Sequence, residues 1–261
     1  MAVVQIADAF ATIRASSCRI QHALNLQLMH NLKKIILQAL ESDELDTVAS
    51  LVKENRRALA ILVRNSYDKE TLAGWRAIKV VGLVAKALVK TDYEFLRETV
   101  RKLLWSLSDE SGGIGWSAPE LLGEIVSADP KKFEDVIPLI AQVYEVEEEV
   151  FKPGVVYALA RIAETSPERV AVYQKIAIMS LADKNPLVKI YGLELVERLW
   201  QTAIRENLWS HEYRRRVMGL VASSNLDQNE AWVYIKDGFM RLEVGEVSKK
   251  TQENLNKTNV S

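Results

Sequence analysis

A single cysteine in 261 residues removes one class of protein at the outset. Cys18 cannot close an internal disulfide, so the sequence reads as that of a reducing compartment and a cytoplasmic protein. With no CxxC partner and no basic motif beside it, Cys18 is expected to be a buried small hydrophobe. No apolar run approaches the roughly 18 residues of a membrane span. The segment Met1–Asp8 has no basic region and meets an acid early, so no secretory signal is expected. Charge of one sign is also missing. Residues 1–130 carry 16 basic and 16 acidic side chains, and residues 131–261 carry 18 and 19. Nothing in that balance predicts a general electrostatic grip on nucleic acid or on an anionic membrane. The three histidines make no ligand pattern, since His22 and His30 are eight apart and about 80° apart around a helix, and His211 stands alone. No metal and no cofactor is expected.

What the chain does have is helical periodicity. Ile6, Phe10 and Ile13 open a first stripe. Ile20, Leu24, Leu28, Leu32, Ile36 and Leu40 mark a second one after a break near Ser16-Ser17. Ser42-Asp43 offers a cap for a short helix through Leu45, Val48 and Val52. From Arg56 a register sets in, with helix 56–65, a turn at 66–71 and a helix at 72–90. A shift of 41 lays Trp75 on Trp116 and Gly82 on Gly123, and a shift of 37 lays Asp129-Pro130 on Ser166-Pro167. Those two pairs each read as a cap followed by proline at the first helical position. A second shift of 37 lays Lys152 on Lys189. Helix pairs at this period predict an α-solenoid, whose stability should be nearly additive between neighbouring repeats. The inner helices are expected to start near Leu72, Ile114, Phe151 and Leu187.

The columns of the register resemble the HEAT-repeat family, in its short variant associated with phycobilisome lyases, over about residues 45–205. An acid at the turn is Asp68, Asp109 and Asp183, with Val146 beside Glu147 in the remaining copy. The basic position six later is Gly74, Gly115, Lys152 and Lys189. The small position reads Ala77, Ala118, Val155 and Gly192. The resemblance implies an all-α, right-handed α-α superhelix. We divide a single domain 1–246 into capping helices 1–54, HEAT-like repeats 55–207, and a helix with a small C-terminal β-hairpin cap at 208–246. The hairpin follows from alternation flanking Asp237-Gly238, a type I′ signal. Residues 247–261 are polar, without an apolar pattern, and are expected to be disordered.

For function, the stretch Ser111–Glu120 stands out because Gly112, Gly113 and Gly115 precede a helix with Pro119 in its first turn. Free N–H groups there would suit an anion. Yet Asp109, Glu110 and Glu120 oppose one, and no Lys or Arg lies between Lys102 and Lys131. The candidate binding residues are therefore Gly112, Gly113, Gly115, Trp116 and Glu120, with Trp75, Arg76 and Lys79 on the preceding inner helix. Trp75 is expected in the core and Trp116 partly exposed at the groove edge. No catalytic residue is assigned. The resemblance implies a non-catalytic scaffold whose concave face takes another protein or peptide. The alternative is a HEAT-like enzyme or lyase-chaperone, related to alkylpurine DNA glycosylases or bilin lyases.

Overall fold

The computed structural model describes residues 27–107, 116–146 and 149–258. Cys18, His22, Gly112, Gly113, Gly115 and the stripes before residue 27 lie outside these residues. Helix α1 spans 27–41. It is followed by α2 (Leu45–Glu54), α3 (Arg57–Asn65), α4 (Leu72–Thr91), α5 (Tyr93–Leu107), α6 (Ala118–Val126), α7 (Ile137–Val146) and α8 (Lys152–Ala163). The chain continues through α9 (Pro167–Val170), α10 (Gln174–Leu181), α11 (Pro186–Arg205) and α12 (His211–Ser224). It ends with β1 (Glu230–Ile235), β2 (Gly238–Glu243) and α13 (Val244–Thr258).

The helices stack as two rows. The inner row is α2, α4, α6, α8, α11 and α13, each packed on the next, and α3, α5, α7, α10 and α12 pack outside. This is the α-solenoid that the register predicts, and one apolar core runs through it. Local chemistry sets the starts of the inner helices. Thr71 caps α4 by accepting from the Gly74 N–H, and Asn185 caps α11 by accepting from the Leu187 N–H. Proline occupies the first or second position of α6, α8 and α11, where its missing N–H costs nothing.

Three expectations need correction. Among the described residues the third inner helix begins at Ala118, four residues beyond Ile114. Pro130 does not open a helix: 130–136 form successive turns, and α7 starts at Ile137. The tail expected to be disordered from 247 is helix α13 as far as Thr258. Its buried face is Val244, Ser248, Thr251 and Leu255, at spacings of four, three and four. That is a helical stripe written half in hydroxyls. Ser248 resolves its burial by donating to the Val221 carbonyl at 2.6 Å.

The hairpin forms where expected, one residue out of register. Ile235 pairs with Gly238, so the two loop residues are Lys236 and Asp237, at φ of 50° and 62°. Both are left-handed, as a type I′ turn requires. Gly238 is an ordinary ladder residue, and a Cβ built on it meets nothing within 4 Å. The sequence alone would make Gly238→Val the damaging change. The structure transfers that sensitivity to the neighbour: Asp237→Val should cost about 1–2 kcal/mol, and Gly238→Val should be neutral or slightly stabilising, as read by urea unfolding. The same measurement should show Gly123→Ala to be destabilising by roughly 1–3 kcal/mol, because its methyl would stand 2.5 Å from the Ala158 Cα on the adjoining helix.

Candidate functional site: the roofed inner face

Helix α6 supplies the centre of the inner face. All nine of its residues are buried, and two of them are glutamates. A buried carboxylate needs donors, and Glu124, 1 % exposed, has three. Lys79 of α4 donates to Oε1 at 3.1 Å, the Tyr157 hydroxyl of α8 at 2.7 Å, and Arg161 Nε reaches both oxygens at 3.1 Å. Lys79 also donates to the Tyr157 hydroxyl at 2.8 Å, and its ammonium lies 5.3 Å from the Tyr157 ring centroid. The chain of charge continues outward. Arg161 pairs with Glu164, which pairs with Arg198 at 2.6 Å, and Arg198 pairs with Glu194.

Glu120 sits one turn earlier. Its Oε1 accepts from Lys69 at 2.7 Å, while Oε2 is buried without a hydrogen-bond partner among the described residues. Two glycines make room for these carboxylates. A Cβ on Gly82 would fall 2.2 Å from Glu124 Oε2, and one on Gly154 would fall 2.6 Å from Glu120 Oε2. Here glycine serves close approach rather than backbone freedom.

Aromatic rings roof the two acids. Trp75 on α4 meets Tyr157 on α8 edge-on at 5.4 Å, bridging across α6, and Tyr157 meets Tyr191 on α11 at 5.6 Å. Tyr234 of the hairpin lies flat on Trp75, 5.4 Å away at an interplanar angle of 3°. Burial pushes the Tyr157 phenol well above its ordinary range, and the neighbouring Glu124 adds to the effect. The Tyr191 phenol is raised by burial and then by Glu120 and Glu194. Burial and then Asp237 push Tyr234 up to about 12.

The residues singled out from the sequence divide accordingly. Trp75 is in the core as expected, and Lys79 and Glu120 join the charge cluster. Arg76 does not face a groove. Its NH1 donates at 2.8 Å to the Leu40 and Glu41 carbonyls, at the C-terminal end of α1. Trp116 is 43 % exposed, and its carbonyl accepts from Lys69 at 2.9 Å. The residues that sequence reasoning missed are Lys69, Tyr157, Arg161, Tyr191 and Tyr234. Register compares each helix with its copies, and these side chains meet across different helices. The basic column does pair with the acidic one, but in the next repeat: Lys152 lies 3.8 Å from Asp183, and Lys189 binds Asp227.

The raised phenols carry a pH signature. A folded pKa above the unfolded value of about 10 means the stabilisation is intact below pH ~10 and is lost as pH rises beyond it. Tyr191→Phe keeps the ring and removes the proton. Denaturant unfolding at pH 7 and near pH ~11 should show a large alkaline loss for the parent chain and a smaller one for this variant. Equal losses would exclude Tyr191 as a source of alkaline sensitivity.

No family model and no curated protein matches this sequence. In three dimensions the chain is similar to the crystal structure of an engineered protein, with a TM-score of 0.52 at 12 % identity, covering 87 % of this chain and 97 % of that one. It is also similar to the archaeal HEAT-like repeats protein from Thermococcus onnurineus NA1, with a TM-score of 0.38, 12 % identity, and coverage of 87 % and 97 %. A designed armadillo repeat protein aligns with a TM-score of 0.37, 12 % identity, and coverage of 75 % and 98 %. At such identity the likeness is one of fold. The stacked inner and outer helices make this chain an all-α solenoid of paired helices with a C-terminal hairpin.

Proposed function

We propose that the protein is a non-catalytic binding module that grips another protein or a peptide along the edge formed by its outer-to-inner turns. The observation that carries this reading is that seven of the thirteen large apolar side chains exposed among the described residues lie at these turns. Tyr67 and Leu72 lie at the turn into α4, and Trp116 at the turn into α6. Val150 lies before α8, and Leu226, Trp232 and Met240 belong to the segment between α12 and α13. All are exposed, Leu226 to 88 % and Trp232 to 63 %. In a solenoid these turns fall on one edge. Aromatic and methionine side chains gathered on one surface are what protein interfaces use.

The expectation of a concave groove is revised by the same reasoning. Trp75 and Glu120 are buried, and Arg76 is committed to α1, so the inner face behaves as core over α4, α6 and α8. Three of its bases are engaged as well, Lys79 and Arg161 by Glu124 and Arg198 by Glu164 and Glu194, while Lys86 of α4 is exposed. That arrangement weighs against the glycosylase-like alternative, which needs a free basic surface to hold phosphates.

Trp116→Ala should change unfolding free energy by no more than about 1 kcal/mol, because much of the ring is already in water. The function is tested by capture from the native host with the tagged chain. A partner held by the parent should be lost with Leu72→Ser/Trp116→Ala and kept with Leu139→Ser/Val172→Ser, whose exposed side chains lie on α7 and in the segment between α9 and α10. Equal retention by both variants would refute the edge as the interface.

A further inference from the structure

The longest segment between an outer and an inner helix is 225–243, between α12 and α13, and it folds as the hairpin β1–β2. Its base is fixed by polar bonds. Lys189 of α11 binds Asp227, and Asp227 Oδ1 accepts from the Asn229 N–H at 3.0 Å and from its side-chain amide at 2.6 Å. The Val244 and Gly245 N–H groups then donate to the Asn229 and Asp227 carbonyls at 3.0 and 2.9 Å.

The tip is held in another way. Among the described residues, no hydrogen bond or ion pair joins residues 230–243 to any element outside the hairpin. The Tyr234 hydroxyl turns to the hairpin's own Asp237 at 3.3 Å, and Arg241 pairs with Glu230 on the opposite strand. Apolar contacts seat the hairpin instead: β1 packs against α11 with Val233 buried in the core, and Tyr234 lies flat on Trp75 of α4 with Phe239 edge-on behind it at 6.0 Å. Lifting the hairpin therefore breaks no polar bond to the solenoid. It bares the Trp75 indole face beside the Tyr157 ring, which stays anchored from below through Lys79 and Glu124. The shape this ledge accepts is displayed by its present occupant, a planar aromatic ring on an extended strand.

We propose that the hairpin is a hinged clasp that lifts off the folded solenoid, and that the Trp75–Tyr157 ledge beneath it takes an aromatic side chain of a partner peptide in place of Tyr234. The ledge lies beneath the hairpin whose Trp232 and Met240 belong to the exposed edge, but it does not depend on the function proposed for that edge. Units smaller than the whole fold open locally, at free energies below that of global unfolding, and this one has no polar bond from its strands to the solenoid to break. The tethered Tyr234 competes at the effective concentration its short connection sets, on the order of millimolar.

Two measurements on the full chain test the proposal. In hydrogen exchange, hairpin amides should exchange roughly a hundredfold faster than those of α8 and α11, at a rate insensitive to low denaturant. Tyr234→Ala should speed the hairpin by about a further tenfold and leave α8 and α11 unchanged, while Tyr234→Phe should behave as the parent, since the ring makes the contact. Hairpin amides that exchange in step with α11 would overturn the clasp. The second measurement uses a fluorescein-labelled synthetic peptide of residues 229–244 and reads its anisotropy. The Tyr234→Ala chain should bind it at least about tenfold more tightly than the parent, whose own hairpin competes. Tyr234→Ala/Trp75→Leu, which keeps apolar volume but removes the flat face, should lose that gain. Equal affinity for the parent and Tyr234→Ala, or no binding to either, would overturn the ledge.

Discussion

The Glu124 carboxylate constrains more of this molecule than any other group. It is ionic, it is buried on a helix that has no exposed residue, and its donors come from the helices on both sides. A charge taken out of water is tolerated only when its partners are close and well aimed. Lys79 and Arg161 can both reach it only if α4 and α8 draw in over α6. Gly82 and Gly154 permit that approach, since a methyl at either position would collide with a carboxylate. Once the three helices are this close, Trp75 and Tyr157 touch above α6. The close approach of these three inner helices and the closure of the face above them thus have one physical origin.

That origin explains why recognition and charge separate in this fold. The inner helices carry Lys79, Glu120, Glu124, Arg161 and Arg198, of which Lys79 and Glu120 read as binding residues when seen as sequence. Each is held by a neighbour of opposite charge, so the groove is internally neutralised. The turn edge is built the other way. Its polar groups are stitched within the fold: Lys69 to Trp116 and Glu120, Ser117 to the Ser66 carbonyl, and Lys152 to Asp183. Apolar side chains are left to face the water there.

The parts legible in the sequence were those encoded by local spacing. The α4 boundary, the inner-and-outer alternation, the hairpin and the contrast between buried Trp75 and exposed Trp116 all follow from residues within a few positions of one another, or from copies of them. Helix α13 escaped because half of its stripe is Ser248 and Thr251, which satisfy helix geometry without registering as apolar. The hairpin loop was placed one residue late because Asp-Gly is the commoner signal, and here Lys236 takes the first left-handed position. The aromatic roof was invisible for a topological reason. Trp75 and Tyr157 are 82 positions apart and Trp75 and Tyr234 are 159 apart, on elements that no repeat register compares.

These long contacts alter what kind of solenoid this is. In an open stack each repeat touches only its neighbours, and stability is close to a sum of local terms. Here α13 packs as the last inner helix, so the hairpin is an enlarged turn of the final repeat, yet its tip rests on α4 near the other end of the described stack. Trp75 also contacts α8, skipping one inner helix. Both contacts close loops in what would otherwise be a one-dimensional chain of couplings. Additive behaviour between neighbouring repeats is therefore the wrong expectation for this molecule. Loosening the last repeat withdraws Tyr234 from Trp75, and loosening α4 unseats the hairpin. The two ends share one stacking contact, so each stabilises the other through it rather than through the helices between them.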